Sequence, residues 1–576
     1  MQLKPSRFVR FIGFLIFSII IGGEGSENRF ALLLIFAIPR LESKGSQERR
    51  PAAITLDYLS FGGSKGRLYG RVYPRPPPAA FSTMPSHLVT SAVEPLADHY
   101  ILTPLLLIVA SLASSIIYNL YFHPLRSYPG PFLGRATILH ALFWEFRGSL
   151  HLKSKKWHDK YGEVVRVAPN QLSYNSSRAW EAICGHRTSA AKGLFDKDPE
   201  FFPESPKGPP HIVPLKAQEI LLQGYVDFFV SQLRERASVD NGVVNMVHWF
   251  NFTTFDIIGD LAFGESFGLL EKGIWQKYLS AMFGSLEFAV YFRAIRRVFP
   301  RSMEKFIERM VTPTSFRGDR QYLFDVAESK LANRASIETE RQDFVYHMLK
   351  GSKEAIGDDG LSFEDMLAQS QLLIVAGSET TATALSGMLY YLLEEPSQKS
   401  LSRLVEEIRS SFNTESDITF HSTTKLKYLQ AVLEEALRVY PPVPSIFPRV
   451  TPEPGQVICD KFVPAGTTVG MHHYSTYHSA ENFFDPDAFH PERWLEGEDS
   501  RFINDNKSAF HPFSHGPRNC LGKNLAYAEL RLITCKFFWN FDVESQPENK
   551  NWKDQPTNSL WIKKPLLVKL RPRTGS

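Results

Sequence analysis

The sequence predicts a mainly α-helical domain with a small β-sheet region, an α+β fold carried behind an amino-terminal membrane helix. Three observations predict it: apolar residues recur at helical spacing through most of the chain beyond residue 130, strand-like runs are few and short, and an uncharged stretch of 22 residues, Ile101 to Phe122, precedes the domain. The 576 residues are 43% hydrophobic, enough for a large core and incompatible with disorder as the main state. With 65 Lys plus Arg against 61 Asp plus Glu, the net charge is +4, too balanced for a protein that binds nucleic acid by neutralising phosphates. The 4 cysteines make no disulfide scaffold in so long a chain, and no C-x-x-C pair suggests zinc.

Residues 1–83 read as an amino-terminal extension. Lys4, Arg7 and Arg10 precede the apolar stretch Phe11 to Ile21, like the start of a signal peptide, and basic residues between Arg40 and Arg75 lead into Pro76-Pro77-Pro78 without periodicity. This segment is either a linker or sequence foreign to the working protein. Residues 84–122 form the membrane anchor, with a transmembrane helix over 101–122. At about 1.5 Å per residue that helix covers a hydrocarbon core roughly 30 Å thick, whereas a buried core helix is the less fitting alternative at this length. Tyr118, Tyr121 and Phe122 crowd its far end as an interfacial belt. Glu94 and Asp98 stand before it and Arg126 and Arg135 after it, so the positive-inside rule turns the large carboxyl-terminal domain, residues 123–576, towards the cytosol.

After the anchor, Tyr128-Pro129-Gly130-Pro131 makes a stiff hinge that stops the helix. A helix starting at Pro396 carries Leu401, Leu404, Val405, Ile408 and Phe412 on one face; another carries Leu426, Leu429, Leu433, Ala436 and Leu437 and ends at Pro441-Pro442. Strand character is confined to pieces such as Glu163 to Val167, and Thr467 to Met471 after the turn Pro464-Ala465-Gly466.

The loop Phe513 to Gly522 runs into a helix spanning Leu525 to Phe537, which sets Cys520 near a helix amino terminus. There the free N–H groups and positive helix end favour a thiolate, and a thiolate can ligate iron. Gly516 and Gly522 let a flat macrocycle approach the backbone, Phe513 covers the sulfur side, and Arg518 can bond a carboxylate. A lone cysteine beside glycines is more often an inert thiol; here the rest of the motif argues otherwise.

That motif, Phe513, Gly516, Arg518, Cys520 and Gly522, fits F-x-x-G-x-R-x-C-x-G, and from about Pro124 to Leu570 the chain resembles the cytochrome P450 haem-thiolate monooxygenases. The resemblance is greatest to the membrane-bound members of fungal secondary metabolism. Glu435-Ala436-Leu437-Arg438 matches the family's E-x-x-R, and Pro491-Glu492-Arg493-Trp494 its P-E-R-F/W. Helical i, i+3 spacing puts Glu435 and Arg438 on one face. The resemblance implies that Glu435, Arg438 and Arg493 form a buried ion triad fixing the cysteine loop. Ala376-Gly377-Ser378-Glu379-Thr380 matches A-G-x-[DE]-T on the long distal helix. By resemblance Ala376 and Gly377 leave room for dioxygen, Thr380 hydrogen-bonds it through a hydroxyl turned from the backbone ladder, and Glu379 relays protons from solvent. The implied cofactor is haem b (iron protoporphyrin IX) with Cys520 as thiolate axial ligand, its propionates held by Arg518 and Arg449.

The implied reaction inserts one atom of dioxygen into a lipophilic small molecule, a C–H hydroxylation, on the endoplasmic reticulum membrane. Electrons come from an NADPH-cytochrome P450 reductase docking near Lys523, Arg531 and Lys536, and the further partners are membrane lipid and the substrate, with no nucleic acid. Leu372, Val375, Ile446 and Phe447 are the expected apolar lining.

One departure stands out. Relatives carry a further helix before the one beginning near Lys216, with a W/H-x-x-x-R pair whose arginine also holds a propionate. Here Pro209-Pro210-His211-Ile212-Val213-Pro214 passes directly into Leu215-Lys216, and the cations nearby are Lys207 and Lys216. Either an exon's worth of residues is missing or haem is held less firmly, which makes a degenerate non-catalytic haem protein the alternative reading. His472, His473, His478 and Glu481 fit no tight metal spacing. Asn175, Asn251 and Asn506 open glycosylation sequons that a cytosolic domain leaves unused.

Overall fold

The computed structural model describes residues 103, 106–186, 195–201, 215–337, 339, 341–354 and 361–573. The expected extension over 1–83, the rest of the anchor up to residue 100 and the segment from Pro209 to Pro214 lie outside them. The chain divides into two compact units, Met1–Ile116 and Ile117–Ser576.

The described part of the expected membrane helix is α1, Leu106–Phe122. Its 17 residues reach about 25 Å, and they leave Leu106, Leu107, Val109, Ile117, Tyr121 and Phe122 exposed. Among the described residues the helix long and apolar enough to cross a bilayer is a different one, Phe363–Leu393, and two thirds of its apolar window is buried inside the domain.

The second unit is built on helices. Those that position the site are α2 (Ser177–Cys184), α3 (Leu215–Ala237), α4 (Met246–Phe263), α5 (Phe363–Leu393), α6 (Gln398–Ser411), α7 (Lys427–Val439) and α8 (Lys523–Asn540). Helix α4 is the hub, buried nearly all round, so its apolar residues need no amphipathic pattern. The Asn245 side chain accepts from Val247 N at its start, and Gly264, in the left-handed region at φ 75°, ends it. Helix α5 runs 31 residues, about 46 Å, and packs along α4. A capping box fixes its start, Ser362 Oγ accepting from Asp365 N while the Asp365 carboxylate accepts from Ser362 N. Helix α6 begins two residues after Pro396, buries Leu404 and Ile408, and stops before Phe412; α7 stops before Pro441, where the ring removes the next N–H. Phe229, Phe250, Phe255, Leu385, Leu433 and Phe537 close one continuous core around these helices. A side chain of this size contributes roughly 1.5–3 kcal/mol when fully buried.

The sheet content is small, as expected. Strands β1 (Val164–Ala168), β2 (Gln171–Tyr174), β3 (Asp196–Lys197), β5 (Arg449–Val450) and β6 (Thr468–Met471) form one sheet in the order β1-β2-β6-β5-β3. Strands β4 (Val243–Asn245), β7 (Phe541–Ser545) and β8 (Leu567–Pro572) form a second, in the order β4-β8-β7. The pairing that matters for the site is β3 with β5, antiparallel, with Lys197 directly opposite Arg449.

Candidate active site

Cys520 is the exposed thiol of the 4 cysteines; Cys535 is fully buried in α8, and Cys184 and Cys459 are intermediate. It sits just ahead of α8, whose N-cap is Gly522. The N–H groups of Gly522 and Lys523 reach the sulfur and lower its pKa, but partial burial, the larger effect, leaves the thiol above its ordinary value. The Cys520 N–H donates to the Phe513 carbonyl at 2.8 Å, which folds the loop back on itself, and the Phe513 ring packs on Tyr527 at 5.0 Å. A Cβ at Gly516 would overlap the Cys184 carbonyl oxygen, and its φ is +73°, so glycine lets the loop lie on the end of α2. That is a packing reason in addition to the expected one. A Cβ at Gly522 would lie 3.9 Å from the Cys520 sulfur, ordinary contact distance.

The structure brings Glu435, Arg438 and Arg493 together with no exposed side-chain surface. Arg438 donates to both Glu435 oxygens at 2.9 and 2.7 Å, Arg493 Nε lies 3.0 Å from Glu435 Oε2, and the Trp494 indole donates to Oε2 at 2.9 Å. Burial alone would raise the Glu435 pKa, yet the two guanidiniums and the His490 N–H outweigh it and hold the carboxyl below its ordinary value. The network reaches the cysteine loop by two routes. Arg438 donates to the Tyr477 carbonyl at 2.8 Å and the Tyr477 hydroxyl accepts from His511 N at 3.2 Å; the Trp494 ring packs on Phe510 at 4.7 Å. Asp505, with no motif to mark it, accepts from Arg493 Nη1, and the Phe484 carbonyl accepts from Nη2 at 3.0 Å.

On α5, Ala368, Leu372 and Ala376, spaced by four, form an exposed row in a helix otherwise largely enclosed, and Thr380 continues it. The Thr380 hydroxyl donates to the Ala376 carbonyl at 2.6 Å, so in this state it belongs to the helix ladder it was expected to leave. Gly377 faces α4, where a Cβ would come within 2.7 Å of Ile258 Cδ1. Glu379 is 1% exposed and ion-paired to Lys563, which also donates to Thr383 Oγ1 at 2.7 Å. Burial raises the Glu379 pKa and lowers that of Lys563, and each charge partly offsets the other's shift. An acid so enclosed has no direct contact with solvent. The sequence carries no sign of this partner, 184 residues away.

Arg449 is 5% exposed and its Nη1 has no hydrogen-bond partner; Arg518 pairs with Asp196 at 3.1 Å. Of the cations expected to receive a partner near Cys520, Lys523 is exposed, Arg531 is half-buried and donates to Gln430, and Lys536 is buried in an ion pair with Asp227. Lys536 shares its helix face with core residues and offers no surface charge. Of the expected lining, Leu372 is exposed, Val375 and Phe447 are half-buried, and Ile446 lines a separate cavity of about 60 Å³ beside His151 and His472. A larger cavity, about 600 Å³, lies between α3, α4 and Arg341, and no motif residue lines it. Asn251 is wholly buried, its amide bonded to the Val247 carbonyl, so that sequon is inaccessible.

Residues 213–570 match the sequence profile of the family Cytochrome P450. The chain is 43% identical to cytochrome P450 monooxygenase aclL of Aspergillus oryzae, over 81% of this chain and 97% of that protein. It is 41% identical to cytochrome P450 monooxygenase astA of Talaromyces wortmannii (80% and 94%) and 38% identical to the trichothecene C-4 hydroxylase of Trichoderma arundinaceum (82% and 97%). The aclL comparison spans 486 aligned positions, whereas 81% of 576 residues is about 467, so about 19 of those positions pair with nothing here. With a matching profile over more than half its length and relatives of this identity covered almost end to end, the chain belongs to the cytochrome P450 family of monooxygenases.

Proposed function

We propose that this chain is a haem b monooxygenase of secondary metabolism that hydroxylates a lipophilic small molecule, with Cys520 as the axial thiolate. The observation that carries the reading is the exposed Cys520 thiol on a loop tied through Tyr477, Phe510 and Trp494 to the buried Glu435 network. The residues present fit the group: Arg449 holds a buried guanidinium nitrogen with no partner in the protein, suited to a propionate, and the Ala368-Leu372-Ala376 row offers an open apolar face. Haem with a thiolate ligand supplies the electron density that favours O–O cleavage. The chain's own part is to hold the thiolate, bind the propionates, exclude water with α5 and move protons at Thr380 and Glu379.

Electrons come from an NADPH-cytochrome P450 reductase, with Lys523 on the docking face. The apolar exposed surface of α1 supports a single-pass anchor in the endoplasmic reticulum membrane with the domain facing the cytosol. The relatives are named monooxygenases and a hydroxylase, which favours turnover over the non-catalytic alternative. The test supplies the full chain with reductase, NADPH, labelled dioxygen and a panel of lipophilic terpenoid and aromatic compounds. One labelled oxygen atom should enter a product, and Cys520→Ala should abolish it; labelled product surviving that substitution would overturn the assignment.

A further inference from the structure

Three cations meet beside the cysteine loop, and one of them belongs to no motif. Lys197 in β3 stands directly opposite Arg449 in β5. Directly opposed residues project from the same face of a sheet with Cβ atoms about 4.5–5.5 Å apart, and like charges so placed repel. Arg518 reaches the same two-residue strand through Asp196 at 3.1 Å. Asp196 is 80% exposed, a weak counter-charge for the guanidiniums of Arg518 and Arg449. Partial burial and the positive charges of Arg449 and Arg518 hold Lys197 below its ordinary pKa, and burial with Arg518 lowers Arg449. A fold keeps such a cluster where an anion completes it, and the unpartnered buried Nη1 of Arg449 is the donor left over for one.

About 19 aligned positions of the aclL comparison have no residue in this chain, and no W/H-x-x-x-R arginine stands before α3. We propose that Lys197 is the third propionate-binding cation of this protein, joining Arg449 and Arg518 in place of the W/H-x-x-x-R arginine that the sequence before α3 lacks. The proposal rests on the haem reading above. It also replaces Lys207 and Lys216, the two cations that sequence proximity singles out.

The experiment follows haem loss from the purified full-length holoprotein to excess apomyoglobin, for the wild type and for Lys197→Met, Lys197→Arg, Lys207→Met and Lys216→Met. Each is loaded with haem or with its dimethyl ester, whose propionates carry no charge. Lys197→Met should release haem roughly tenfold faster, as loss of one charge-assisted bond implies, and Lys197→Arg should stay within about threefold of wild type. With the dimethyl ester the difference between Lys197→Met and wild type should vanish. Equal release by wild type and Lys197→Met overturns the proposal, as does an acceleration that persists with the ester or one seen with Lys207→Met or Lys216→Met alone. A wild-type chain that takes up no haem would overturn the monooxygenase reading itself, and this proposal with it.

Discussion

Glu529 and Lys563 show what single buried charges do in this fold. Glu529 lies in α8, 2% exposed, with Thr381 of α5 as its hydrogen-bonding neighbour, and burial pushes its pKa from 4.5 up to about 8. The native state then keeps a proton that the unfolded chain releases. Stability from this group is complete below about pH 4.5, falls as pH rises towards about 8 and is level above it, a loss on the order of a few kcal/mol. Glu529→Gln should flatten that slope in denaturant titrations from pH 5 to 8; an unchanged slope would mean the carboxyl is ionised in the native state. Lys563→Met strands the Glu379 carboxylate in the interior, and breaking a buried pair from one side costs roughly 3–5 kcal/mol. A denaturation midpoint shifted by that amount, and restored in part by the double variant Lys563→Met/Glu379→Gln, is the expected result. None of this was legible in the sequence, because a partner 184 residues away leaves no local pattern. The proton path expected from Glu379 to solvent has to pass by way of Lys563 or wait for that pair to open.

At the level of elements, much more could be read beforehand. Pro396 marks the start of α6 and Pro441 the end of α7, and apolar spacing gives their inner faces, so both helices lie within two residues of expectation at their starts and ends. The loop before α8 was legible for a different reason: glycine, arginine and cysteine at fixed offsets are a chemical pattern and not a periodic one. Its rigid seat was not legible. The contact with α2 depends on Gly516 lying against the Cys184 carbonyl, a tertiary approach that no spacing encodes. Gly516→Ala should therefore displace the loop, since the added methyl meets backbone at a positive φ. A stability loss of about 2 kcal/mol or more is expected, with a disturbed cysteine-ligand spectrum in the same variant. A stable, spectrally normal Gly516→Ala protein would show that the loop and α2 move apart freely. Lys536 marks the opposite failure: a lysine near the cysteine suggests surface charge, but its helical position among Ile533, Phe537 and Trp539 turns it inward to Asp227.

Across the whole molecule, a large helical domain with four small sheets among the described residues holds together an ion network, a cysteine loop and a long helix drawn from distant parts of the chain. The E-x-x-R, P-E-R-W and cysteine motifs are separated by tens of residues, yet Glu435, Trp494 and the Phe510–Cys520 loop form one connected set of contacts. The family profile begins at residue 213, just before α3, where the sequence shows no W/H-x-x-x-R arginine. The function proposed for this protein requires that a chain without the W/H-x-x-x-R arginine still hold haem through Cys520. The most direct measurement is the reduced carbon-monoxide difference spectrum of the purified full-length protein beside its Cys520→Ala variant. The wild type should show the red-shifted thiolate Soret band and Cys520→Ala should lose it; a wild type without the band, or a band that survives the substitution, would contradict the assignment of Cys520 as the haem ligand.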